Sequence, residues 1–151
     1  MLNDSDRRLL RHLQDDPTQP MTALAEAAGM PLASCYKRLE RMRAQGVLKG
    51  QRAVINWAAL GYSVEVSLRL TLDKTEPRAF DEFIAAAREV PEVTEIQTFL
   101  GRVDARLAVI ARTMAHYQDI YRDRILTLPH IADIEALMQV ATIKDRQTLP
   151  L

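Results

Sequence analysis

The hydrophobic period of this chain first changes at Gly46, and that change fixes the order of what can fold. Before it, apolar residues recur only at helical spacing; after it, stretches that alternate every second position are interleaved with helical ones. Three short helices are therefore expected first. Asn3 or Asp4 caps the first, with acids near its start where the helix dipole favours them, and Leu9, Leu10 and Leu13 share one face. Asp15-Asp16-Pro17 ends it. Pro20 suits the opening turn of a second helix, which turns Leu24, Ala25 and Ala28 inward and stops at Gly29. A third helix is expected over residues 32–45, with Cys35, Leu39 and Met42 as its apolar stripe.

Beyond Gly46, residues 47–55 read as strand and connection, and Asn56 caps a turn through Trp57 and Leu60 that ends at Gly61. Val64, Val66, Leu68, Leu70 and Leu72 then alternate with polar residues as a strand. A helix over 77–90 turns Phe80, Phe83, Ile84 and Ala87 inward. Strands near 93–99 and 105–111 follow, joined around Gly101. Thr113 caps a helix carrying Met114, Tyr117, Ile120, Tyr121, Ile125 and Leu128, and a last strand spans 131–142. The whole reads as α+β: a three-helix helix-turn-helix domain at 1–50, a linker at 51–62, and a ferredoxin-like βαββαβ domain at 63–151. Leu107, Val109 and Ala111 alternate with Ala108 and Ile110, so one strand is apolar on both sides. The sheet face that the helices leave open is accordingly expected to be covered in an oligomer.

Charge locates a partner that overall composition hides. The 151 residues carry 20 basic and 20 acidic side chains and no net charge. Between Ser34 and Arg52, however, six basic residues stand against Glu40 alone, a net +5. Such a stripe on one helix, in a helix-turn-helix layout, points to nucleic acid. Ser34, Lys37, Arg38 and Arg41 lie opposite the apolar stripe and are the candidate contacts, with Thr22 near the start of the second helix for a phosphate. A solvated helix face is the alternative reading of the same charges.

Other classes are disfavoured. A lone cysteine, Cys35, cannot form an internal disulfide and reads as a buried apolar residue. No apolar run approaches the roughly 20 residues that span a bilayer, and residues 1–6 lack the features of a signal peptide, so a soluble cytoplasmic protein is expected. His12, His116 and His130 share no ligand spacing. Neither a Gly-rich phosphate loop nor a Gly-x-Ser-x-Gly elbow occurs. No catalytic centre, metal or cofactor is expected.

In order and spacing the chain resembles the Lrp/AsnC family of prokaryotic transcription regulators. The resemblance rests on residues 3–10, 24–30, 35–42 and 45–48, then Asn56, Leu60-Gly61, Gly101-x-x-Asp104 and Leu126-x-Leu128-Pro129. It implies sequence-specific binding of double-stranded DNA by a homodimer that assembles further, as an octamer, under a small-molecule effector such as an amino acid. The effector residues it implies are Leu100, Gly101, Arg102, Val103, Asp104, Ala136 and Met138. The chain departs from the family pattern at residues 30–33, where Met-Pro-Leu-Ala replaces a capping hydroxyl, and at Ala105, Arg106 and Ala136. Most of these departures fall on the effector region. Two other readings share the architecture: a haem-biosynthesis decarboxylase-like enzyme, against which the scarcity of aromatic residues counts, and a ligand-sensing assembly protein that does not bind DNA.

Overall fold

Asn3 begins the first helix, α1 (Asp4–Asp15), through a reciprocal cap in a computed structural model that describes residues 2–145 and 148–151. The Asn3 side chain accepts the Asp6 N–H at 2.9 Å, and the Asp6 carboxylate accepts the Asn3 N–H at 3.1 Å. α2 (Met21–Ala27) and α3 (Leu32–Ala44) follow. Gly29, at φ +63°, makes the turn between them, and the Met30 N–H donates to the Ala25 carbonyl at 3.0 Å. Leu9, Leu24, Ala28, Cys35, Leu39 and Met42 fill the core of this head. The burial of Cys35 raises its thiol pKa, in keeping with a packing role.

Met1–Val54 with Lys144–Leu151 form one compact unit and Ile55–Ile143 the other. The last residues thus group with the head, although the sequence assigns 63–151 to a single domain.

In the second unit a 3-10 turn, Ala58–Leu60, is capped by Asn56 and closed by Gly61 at φ +85°. The elements β1 (Val64–Leu72), α4 (Ala79–Arg88), β2 (Val93–Thr98), β3 (Ala105–Ala111), α5 (Met114–Ile120) and β4 (Ile131–Met138) build an antiparallel sheet in the order β2-β3-β1-β4. This is the ferredoxin-like arrangement. Val66, Leu68, Leu70, Leu107 and Val109 meet Phe83, Ala87, Tyr117, Ile120 and Ile125 on the helix side. α5 ends in one π turn, Tyr121–Ile125. Ile120 and Ile125 are five residues apart, which an α-helix would place on different faces; the wider turn lets both be buried.

Four expectations are corrected. Residues 47–55 form no strand: among the described residues no strand pairs with them, and Val54 and Ile55 are exposed. The last strand stops at Met138, where its pairing with Val66 of β1 ends. Phe80 and Met114 face solvent, because Ala79 and Phe83, and Tyr117 and Ile120, already occupy the inward positions of their helices. The sheet's open face is also more polar than alternation in β3 implied. Ala108 and Ile110 are half-buried there, but Arg106 pairs with Glu95 at 2.6 Å and Arg69 with Glu135 at 3.6 Å.

Candidate nucleic-acid interface and ligand-binding region

α3 presents its basic face because its apolar one is spent in the head core. Ser34, Lys37, Arg38 and Arg41 line a cleft of about 360 Å³ along the helix. Lys37 and Arg41 are exposed, whereas Ser34 and Arg38 are half-buried. Thr22 is exposed in the first turn of α2. Among the described residues no side chain caps the first turn of α2 or α3, so the capping hydroxyl absent at residues 30–33 has no replacement there.

Two of these residues are not the free charges that the sequence suggested. Arg38 Nη1 donates to Asp6 Oδ1 at 2.8 Å and to Asn3 Oδ1 at 3.3 Å. Arg41 Nη2 donates to Asp6 Oδ2 at 2.6 Å. Asp6 is fully buried in the crossing of α1 and α3. Burial opposes its ionisation, but the Asn3 N–H, the Arg38 hydrogen bond and the charges of Arg41 and Arg38 outweigh it. Together they hold the carboxyl below its ordinary value. One buried carboxylate therefore grips two arginines of the basic face from behind.

Asp6 escaped the sequence reading, although a signal was present. It stands in register with Leu9 and Leu13, on the apolar stripe, and a carboxylate there demands a cationic partner. Tyr36 was also passed over; it is 50% exposed beside Lys37.

The effector candidates do not converge within one chain. Leu100 is fully exposed, Gly101 turns the chain at φ +155°, Arg102 is exposed, and Val103 is half-buried. Asp104 Oδ2 accepts the Leu72 N–H at 2.9 Å and Oδ1 meets Lys74 Nζ at 3.1 Å. The Leu72 N–H chiefly lowers its pKa, with Lys74 adding to this against partial burial. Asp104 thus closes a cleft of about 290 Å³ with Leu72, Lys74, Glu76 and Phe80. Ala136 and Met138 lie elsewhere. They stand opposite Leu68 and Val66, four and six residues back along β1 from Leu72, or roughly 13 and 20 Å. The spread follows from the antiparallel register, which carries β4 away from the Asp104 turn as it lengthens.

Among the described residues no group of three His, Cys, Asp or Glu side chains could hold a metal, and no helix is long and apolar enough to cross a membrane.

Residues 65–149 match the model of the Lrp/AsnC ligand binding domain, and residues 2–49 match a winged helix-turn-helix DNA-binding model. The chain is 28% identical to the DNA-binding transcriptional activator DecR of Escherichia coli (strain K12), covering 100% of this chain and 99% of that protein. It is also 28% identical to the proline dehydrogenase transcriptional activator of Rhodobacter capsulatus, over 98% and 96% of the two chains. An AsnC family regulator from Agrobacterium tumefaciens superimposes with a TM-score of 0.89 at 27% identity, over 99% of this chain and 97% of that one. A Neisseria meningitidis transcriptional regulator, solved in complex with L-methionine, shares the fold. Its TM-score is 0.92 at 21% identity, over 99% and 97%.

Proposed function

Because the chain belongs to the Lrp/AsnC family, as a DNA-binding transcriptional regulator with a ligand-binding domain and not an enzyme, we propose that the Ser34–Arg41 face of α3 is what reads its operator. The observation that carries this is the shared cleft of Ser34, Lys37, Arg38 and Arg41 on one exposed helical face. Arg38 and Ser34 meet base edges, Lys37 and Arg41 meet phosphates, and Thr22 anchors a further phosphate from α2. Tyr36 offers its ring to a thymine methyl beside them. The protein acts in the cytoplasm as a homodimer on two half-sites about 34–36 Å apart. Ala108, Ile110 and the exposed Leu137 on the open sheet face support assembly into a higher oligomer, an octamer.

The test begins with mapping the bound DNA and measuring affinity against salt. Binding weakens steeply as salt rises, and Lys37→Ala lowers the slope of log affinity on log salt by about 1. A slope that Lys37→Ala leaves unchanged removes that residue from the phosphates.

The effector is of the amino-acid class, and the Neisseria neighbour's L-methionine supports that class for this fold. Since Asp104 and Ala136 are apart in one chain, the pocket is completed where subunits meet. Titration calorimetry with the amino acids gives saturable heat for at least one; silence across the panel overturns the effector reading.

A further inference from the structure

The end of the described chain folds back onto the head, held by Gln14 and Arg11 of α1. Gln14 Nε2 donates to the Leu149 carbonyl at 2.8 Å, and the Leu149 N–H donates to Gln14 Oε1 at 2.9 Å. A side-chain amide used both ways presents the donor and acceptor of a neighbouring strand. It grips the backbone and ignores the side chain, which is 66% exposed. Three residues earlier on α1, Arg11 Nε donates to the Leu151 carbonyl at 2.7 Å. The Leu151 N–H in turn donates to the Leu149 carbonyl at 2.9 Å. That bond spans Pro150, whose ring holds φ near the value such a three-residue turn requires. Leu149 and half-buried Leu151 form one wall of a groove of about 420 Å³ that Leu10, Leu13, Leu48 and Val54 also line.

We propose that this groove is a peptide-binding site on the DNA-binding head, whose ligand is the chain's own Leu149-Pro150-Leu151 segment, bound as a second tether to the ligand-binding unit. The first tether is the passage from Val54 to Ile55. The second leaves β4 at Met138 and returns to the head at Leu149. Three hydrogen bonds and one half-buried leucine would bind a free peptide weakly. Covalent attachment supplies an effective concentration in the millimolar range, and modest contacts then suffice. The segment lands on α1, the helix whose Asp6 holds Arg38 and Arg41.

Hydrogen exchange read by mass spectrometry on the full chain tests this, independently of which residues read DNA. Gln14→Ala removes both bonds to Leu149 and speeds exchange at residues 10–16 and 148–151 by about tenfold, the combined effect of two hydrogen bonds of modest strength, while β1 and β3 stay unchanged. Identical exchange in the two proteins overturns the proposal. Cysteines introduced by Asp15→Cys and Thr148→Cys, joined by a short bis-maleimide, give a cross-linked product at the mass of one chain. A product at the mass of two chains shows the segment seated on a neighbouring copy and overturns the assignment to the chain's own head.

Discussion

Asp6→Asn is expected to destabilise the head by about 2–4 kcal/mol. Removing one partner from a buried ion pair costs roughly 3–5 kcal/mol. The lower range applies here because Arg38 and Arg41 keep 27% and 44% side-chain exposure and can turn to water. Asparagine preserves the shape and one acceptor, but its NH2 then faces a guanidinium, donor against donor. Native-state hydrogen exchange reads the effect as faster exchange in α1 and α3, with the sheet of the second unit unaffected. Equal exchange in both proteins contradicts the role given to Asp6. The pH dependence adds a signature. The folded pKa of Asp6 lies below the unfolded value of about 3.9, so its stabilisation is complete above that value. It is lost as the pH falls through the lower folded value, and the difference between wild type and Asp6→Asn closes in acid.

Arg38→Ala carries the second large effect. Both hydrogen bonds from Arg38 to α1 use Nη1, and its Nε–Nη2 edge makes none among the described residues. That edge has the geometry to bridge two acceptors on guanine. Loss of such a pair costs about 1–3 kcal/mol, or roughly 5- to 150-fold in operator affinity. Asp6 retains Arg41 and the Asn3 N–H, so the head remains folded. Fluorescence anisotropy on the mapped operator and on scrambled DNA separates the roles. Specific affinity falls by the full factor, while non-specific affinity falls only by the loss of one charge. An equal fall on both DNAs makes Arg38 a phosphate contact.

Local pattern carried the architecture. Cys35, Leu39 and Met42 fall inward as their spacing requires, and Val64 to Leu72 alternate as the half-covered strand that they form. What escaped depends on groups distant in sequence. Asp6 and Arg41 lie 35 positions apart, and the bond from Gln14 to Leu149 spans 135. No local period encodes either contact. Phe80 misled because it lies beside the inward positions of α4, and its size argued for burial that Ala79 in fact takes. The effector candidates come from two separate segments, residues 100–104 and 136–138, and strand register, which no motif encodes, sets the distance between them in one chain.

The π turn at the end of α5 absorbs one extra residue in the helix that contains it. Excising one residue between Tyr121 and Ile125 would bring Ile120 and Ile125 to a spacing of four, which regular α geometry keeps on one face. Ile125 and Leu128 would then stay against the sheet. Polarity here is a stricter requirement than length, and in this short stretch the protein tolerates a one-residue deletion more readily than a charge at Ile125.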